Sequence, residues 1–333
     1  MQRISLLALV LAAACGSSGS KPADATTDSP KPIDAPPDVA VDASAMAAGG
    51  HYHYVIDREL IPTTNQQARD YGLDLNNDGM VDNQLGMVIA TFAGMGLPIQ
   101  STADTAVNNG TILMLADVQA TALTDATDAG FTVYVGENPQ PPPCNGPGDT
   151  TCRHHLQGTG TFDVAAMPQD TPLVGAFASG TYTGGPGHIP LEVIVIGGSP
   201  LTIDLIGARA QVTANVSAIP QGIIGGGIPQ SEITTKVYPG IVSAGNTQIA
   251  ADCNDPTNPP TCGCTSGSTG ATLLGLFDGD YSGDARDCML ELQEVSMNSL
   301  IQVLFTPDVM LEGQMALSLG IGFTAVPGGF TSP

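Results

Sequence analysis

Between residues 210 and 217 the chain alternates strictly. Ala210, Val212, Ala214 and Val216 are apolar, while Gln211, Thr213, Asn215 and Ser217 are polar. A period of two puts each set on its own face of a strand, so the segment predicts a half-buried β-strand. Shorter apolar or β-branched runs predict strands over 51–61, 111–115, 131–135, 160–165, 175–182, 190–196, 201–206 and 315–326. Gly-Gly, Pro-Gly and Ser-Pro punctuation separates many of them. Ser199-Pro200 predicts a hairpin, and Gly225-Gly226-Gly227 reads as a close-packed turn. That glycine run lacks the strand-to-helix setting and following ribose acid of a dinucleotide site.

Helical periodicity lies on either side. Residues 66–71 predict a helix capped by Thr63 or Thr64 and stopped by Gly72. Residues 83–94 place Leu85, Val88, Ile89 and Phe92 on one face. Further helices are expected at 101–107, from 229 towards 253, at 271–277 and at 291–305. The fold class is therefore α+β. We expect a β-rich middle (111–228), sandwich-like or a partly open barrel, with peripheral helices and two helix–loop–helix segments. A strand and helix–loop–helix precede it (46–110), and a disulfide-rich helical segment with a final strand follows (229–333).

The amino terminus changes this picture. Met1-Gln2-Arg3 is a short basic start, and residues 4–14 are apolar except for Ser5. Eleven residues are too few to span a bilayer, which takes roughly 20, so the run reads as a signal peptide over 1–14. Leu11-Ala12-Ala13-Ala14-Cys15 resembles a lipobox. That resemblance implies a bacterial lipoprotein with Cys15 acylated as the mature N-terminus. Residues 15–45 are rich in Ser, Gly, Pro, Ala and Asp, including Asp24, Asp28, Asp34, Asp38 and Asp42. Such a stretch buries too little apolar surface to fold, so it reads as an extended tether. Gly16 after Cys15 is compatible with outer-membrane sorting.

Charge narrows the partners. The chain has 32 acidic against 9 basic residues and a net charge of −23. Nucleic acid binding needs a basic surface, and none is present. The same charge repels anionic headgroups, so membrane attachment is expected through the lipid alone. A protein, polysaccharide or lipid ligand stays open.

Cysteine usage agrees with export. Besides Cys15 there are six: Cys144, Cys152, Cys253, Cys262, Cys264 and Cys288. An even number in an exported chain reads as disulfides. Cys144 and Cys152 close a Pro/Gly-rich loop and are expected to pair. The other four allow three connectivities. Their spacing lacks the two Cys-x-x-Cys knuckles of a zinc ribbon.

Two acidic loops carry the metal chemistry. Asp74-Leu75-Asn76-Asn77-Asp78-Gly79-Met80-Val81-Asp82 matches the opening of an EF-hand calcium loop. Ca²⁺ takes six to eight oxygens. Asp74, Asn76 and Asp78 would supply side chains, Met80 a carbonyl, and Asp82 a direct or water-mediated contact. Gly79 sits at the sharp turn, and Val81 is expected to pack the loop down. Leu85 stands where a bidentate Glu is usual. The loop resembles truncated calcium sites of secreted bacterial proteins, where a remote carboxylate completes the shell. The second loop, with Asp278, Asp280, Ser282, Asp284 and Glu294, is five residues too long for an EF-hand.

Other chemistry is sparse. His51 and His53 share a strand face as a metal pair, but no third ligand is legible, so they read as an exposed strand end. His154-His155 lie in a loop, His188 reads as a surface residue, and Ser266-Gly267-Ser268 has no evident base. There is no H-E-x-x-H, G-x-S-x-G or P-loop. In layout the chain resembles uncharacterised bacterial surface lipoproteins, which implies no known activity. The expectation is a lipoprotein of the outer membrane or cell surface, a non-enzymatic, calcium-stabilised binding or structural module. A secreted hydrolase with a fold-assembled site and an apolar-ligand carrier are the alternatives.

Overall fold

Ten antiparallel strands dominate the computed structural model, which describes residues 47–94, 98–194, 200–279 and 286–333. The expected signal peptide, Cys15 and nearly all of the tether lie outside the described residues. The strands are β1 (Gly50–Leu60), β2 (Met114–Ala120), β3 (Ala126–Gln140), β4 (Thr161–Val164), β5 (Leu173–Ala178), β6 (Thr181–Ile194), β7 (Pro200–Asn215), β8 (Ala218–Pro229), β9 (Val309–Leu311) and β10 (Gln314–Pro327). They pair in the order β1-β2-β3-β5-β6-β7-β8-β10, and β10 also pairs with β1, so this path of ladders returns to its start. β4 adds to β3, and β9 adds to β10.

Side chains fill the space that the ladders enclose. Phe131 of β3 meets Tyr182 of β6 and Phe323 of β10, with ring centroids 6.0 and 6.2 Å apart. None of these strands neighbours β3, so the rings meet across the interior. Tyr54 of β1 donates its hydroxyl to the Asn215 carbonyl at 2.8 Å. One cluster of buried residues runs from these strands into the helical segment through Ile241, Leu273, Val295 and Ile301. Residues 44–333 cluster as one unit.

Several strands extend beyond the sequence expectation, and glycine explains why. The segments 201–206 and 210–215 are one strand, β7, with an irregularity at Gly207, where φ is +55°, and Val216 and Ser217, expected to continue it, form the turn to β8. Gly225, Gly226 and Gly227 are not a turn; they lie within β8. A Cβ on Gly226 would stand 2.9 Å from Leu205 Cβ, and one on Gly227 2.6 Å from Ala316 Cβ. Small residues there let neighbouring side chains cross the strand. The expected strand 175–182 is instead β5, a turn and β6. Ser179 and Gly180 both have positive φ, as a tight hairpin requires. β2 starts at Met114, three residues later than expected. β9 was not anticipated. β6 and β7 form the expected hairpin pair, with Ile194 opposite Pro200; the connection at 195–199 is outside the described residues.

The helices are α1 (Asn65–Asp70), α2 (Gln84–Gly94), α3 (Ile99–Asn108), α4 (Gln230–Glu232), α5 (Tyr238–Asp252), α6 (Thr269–Phe277), α7 (Leu292–Met297) and α8 (Ser299–Leu304). A π turn at Ile233–Val237 joins α4 to α5. Local caps set the boundaries. Thr64 accepts from Gln67 N at α1, and Ser268 accepts from Ala271 N at α6. Asn298 caps α8 and splits the expected helix 291–305 in two. Among the described residues, no single helix is long and apolar enough to cross a membrane.

The cysteines pair as Cys144–Cys152, Cys253–Cys264 and Cys262–Cys288. The first is the expected loop closure. The other two choose one of three open connectivities.

Candidate metal centres

The acidic loop 74–82 joins α1 to α2 and is closed at its base. Leu73 and Asp82 form an isolated bridge, with Asp82 N donating to Leu73 O at 2.9 Å. Asn83 fixes the exit. Its amide group accepts from Gly86 N and Gly320 N and donates to Ala68 O and Gly320 O, all within 3.0 Å. One buried side chain thereby ties the loop, α1, α2 and β10 together. The apolar anchor is Leu75, packed with Ile206, Val309, Leu311 and Ala316. Val81, expected in that role, is 52% exposed.

The loop is wound by its own oxygens. Asp74 accepts from Asp78 N at 3.1 Å and Gly79 N at 2.9 Å. Asn76 Oδ1 accepts from Asp78 N at 2.9 Å, and Asp78 Oδ1 from Met80 N at 2.8 Å. Asp82 Oδ2 accepts from Leu75 N at 2.8 Å. Asn77 and Gly79 have φ of +62° and +85°, so the chain turns sharply where the motif places its glycine. Burial raises the Asp82 carboxyl above its ordinary range, the Leu75 amide opposes this, and the charges of Asp78 and Asp308 add to it. Asp308, from the segment before β9, is a remote carboxylate whose charge reaches this loop. The three loop carboxylates are not among the groups whose ligand atoms converge within 4.8 Å.

The second acidic loop holds its ends differently. Asp278 accepts from Asp287 N and Cys288 N, and Glu294 accepts from Gly279 N and Glu291 N. Both carboxylates are buried, and Cys262–Cys288 staples the loop beside them. Asp280, Ser282 and Asp284 lie outside the described residues.

Two groups among the described residues do converge: His51, His53 and Asp117, and Asp170, His188 and Asp204. In the first, β1 supplies both imidazoles from one face, and register sets Asp117 of β2 opposite His53. His51 is therefore not merely at an exposed strand end. Its Nδ1 lies 2.8 Å from Asp117 Oδ2 and 3.1 Å from Oδ1. His53 Nε2 lies 3.8 Å from Asp117 Oδ1. Ser332 Oγ is 3.1 Å from His53 Nε2 and donates to Asp117 Oδ2 at 2.7 Å. Phe330 stacks on His53, with centroids 4.2 Å apart. Burial holds the His53 imidazole below its ordinary pKa; Asp117 opposes that, and His51 adds to it.

A Ser, a His and an Asp within reach of each other invite comparison with a nucleophilic triad. There the ring separates its partners, with the carboxylate on one nitrogen and the hydroxyl on the other. Here Asp117 and Ser332 face the same nitrogen of His53, and the serine donates directly to the carboxylate. That arrangement orders a cluster but does not relay a proton from Ser332 through the ring.

The second group is more open. His188 bridges Asp204 and Glu312, at 3.1 Å to each, and these carboxylates raise its pKa despite burial, the largest single influence, which lowers it. His154 pairs with Asp149 at 2.9 Å, while its neighbour His155 is fully buried against Phe162. Ser268 serves as the α6 cap. Sequence reasoning missed Asp117 as the third member of the first group. Its signal was an acid in an otherwise apolar strand, Met114-Leu115-Ala116-Asp117-Val118. No known protein family, curated protein or solved structure matches the chain.

Proposed function

We propose that the protein is an exported, lipid-anchored binding or structural module of the bacterial outer membrane or cell surface, stabilised by calcium in the loop 74–82. The observation that carries the calcium reading is the winding of this loop. Asp74 gathers two successive backbone amides while Gly79 turns the chain, which is the backbone path an EF-hand-like loop takes. The carboxylates turn in on an ion by side-chain rotation in this reading, and Asp308, whose charge reaches Asp82, is the candidate remote acid. Weak affinity suffices outside the cell, so the ion acts by stabilising the fold.

Three disulfides and a strong acidic excess support an oxidising, extracytoplasmic setting. The ring of ladders favours a barrel over a sandwich, and its interior, filled by Phe131, Tyr182 and Phe323, favours a scaffold over an apolar carrier. The hydrolase alternative loses support from the placement of Ser332 and Asp117 on one nitrogen of His53.

Thermal melting with and without calcium tests the ion. Calcium at 100 times Kd adds about 2.7 kcal/mol, which raises Tm by ~5 °C or more in a domain of this size. Asp78→Ala should abolish that rise. An unchanged rise in the variant, or none in the parent protein, sinks the calcium reading. Labelling with a palmitate analogue tests the anchor: label on the parent chain and none on Cys15→Ser is expected.

A further inference from the structure

We propose that His51, His53 and Asp117 form a second, separate metal site that takes a first-row transition-metal dication of the zinc class. Two imidazole nitrogens and one carboxylate oxygen converge there, all within 4.8 Å of one another. Calcium is a poor match for this set, because it prefers six or more oxygens. Imidazole nitrogen with a single carboxylate suits zinc and its neighbours.

The distances fit. Ligands at about 2.0–2.2 Å from a tetrahedral zinc ion stand about 3.4 Å from each other. Asp117 Oδ1 lies 3.1 Å from His51 Nδ1 and 3.8 Å from His53 Nε2, on either side of that value. Small rotations therefore place all three on one ion without moving the backbone. The backbone itself is fixed, since His53 and Asp117 are register partners in paired strands and His51 lies two residues along. Side chains from rigid strands hold a site better than side chains from loops.

Burial supplies a second argument. The Asp117 side chain is 4% exposed. Among the described residues, the ion pairs of Asp117 are to histidines alone; no Lys or Arg pairs with it. A buried carboxylate is costly unless it is paired or bound to a metal. Ser332 donates to Asp117 Oδ2, which also contacts His51, while Oδ1 lies within 3.8 Å of both imidazoles. The partners behind the ligands are in place: Ser332 on the carboxylate and Phe330 across the His53 ring. Such contacts orient ligands and tune affinity. His51 is 43% exposed on its side chain, so an ion has an entry path and one coordination position faces solvent. Three protein ligands with an open fourth position allow a water or an anionic small molecule to bind.

The ligand nitrogens must be free of protons. The Ser332 hydroxyl has one hydrogen; with Asp117 as acceptor, His53 Nε2 donates to Ser332 Oγ. His51 Nδ1 likewise donates to the Asp117 carboxylate, so an ion displaces both protons, each moving to the other nitrogen of its ring or being released.

Titration of the full mature chain with Co²⁺, in the presence of millimolar calcium, tests the site. The visible bands of four-coordinate cobalt report geometry, and competition with Zn²⁺ reports affinity. One equivalent is expected. His51→Gln and His53→Gln should each weaken binding at least tenfold, and the double variant should remove the bands. Circular dichroism of the partly exposed His51 variant guards against misfolding. Asp78→Ala should leave cobalt binding unchanged, which separates this site from the calcium loop. The proposal is overturned by no cobalt binding by the folded parent chain, or by binding that survives the double variant. Loss in His188→Gln alone would place the ion at the other cluster and equally overturn it.

Discussion

Glu59, in β1, is a carboxyl group carried into the interior. It is 2% exposed, and its Oε1 has no hydrogen-bond partner. Burial, then the nearby charge of Glu192, pushes its carboxyl up to about 8. The folded state therefore binds a proton that the unfolded chain releases near pH 4.5. Stability from this group is full below pH 4.5 and is lost as pH rises through about 8. Glu59→Gln removes the charge and keeps the shape, so its Tm should exceed that of the parent increasingly between pH 5 and 9. The corresponding difference in unfolding free energy should reach a few kcal/mol at most, at about 1.4 kcal/mol per pKa unit. Parallel Tm curves for the two proteins across that range would refute it. Glu59 was not legible in the sequence as a buried group, because Asp57-Arg58-Glu59 reads as a polar strand end. The same limit hid Asp117: its value as a ligand comes from register with β1, 64 residues earlier in the chain, and no local pattern encodes that pairing. Asp74, Asp78 and Gly79 were legible because their chemistry is local.

At the scale of elements, what was readable depended on where the physical cause lay. Caps are local, and Thr64, Ser268 and the Pro229–Gln230 helix start fall where their side chains or fixed φ dictate. The long strands are another matter. Glycine in a sequence marks a break when it turns the chain, as at Ser179-Gly180. It marks a continuing strand when a neighbour needs room, as at Gly226 beneath Leu205. The two uses look alike without the partner strand, so β7 reads as two pieces and β8 as a turn. β6 shows both effects together. Gly185 has φ of +108°, and register slips on either side of Gly187, yet the strand runs on to Ile194. Such bulges bend a strand and help an antiparallel ladder curve back on itself.

At the scale of the whole molecule, the question is whether the helical segment is a separate body or part of the same core. The buried cluster is continuous from Phe131 and Phe323 to Leu273, Leu290 and Val295. Cys262 and Cys288 belong to that cluster and are themselves buried. Their bond closes a separation of 26 residues, against 8 for Cys144–Cys152. If the bond acts mainly by restricting the unfolded chain, the longer loop contributes about 3.6 kcal/mol and the shorter about 2.6 kcal/mol. Its position adds to this difference, because both cysteines share the core cluster with Ile241 and Ile249 of α5 and Leu273 and Phe277 of α6, and Asp278 accepts from Cys288 N. Cys262→Ala with Cys288→Ala should therefore lower Tm by ~7 °C, and more than Cys144→Ala with Cys152→Ala. Because the core is shared, calorimetry of the former should still give one cooperative transition. A separate early transition for the helical segment would mean that the ring of strands stands alone, with the disulfide acting as a local clasp.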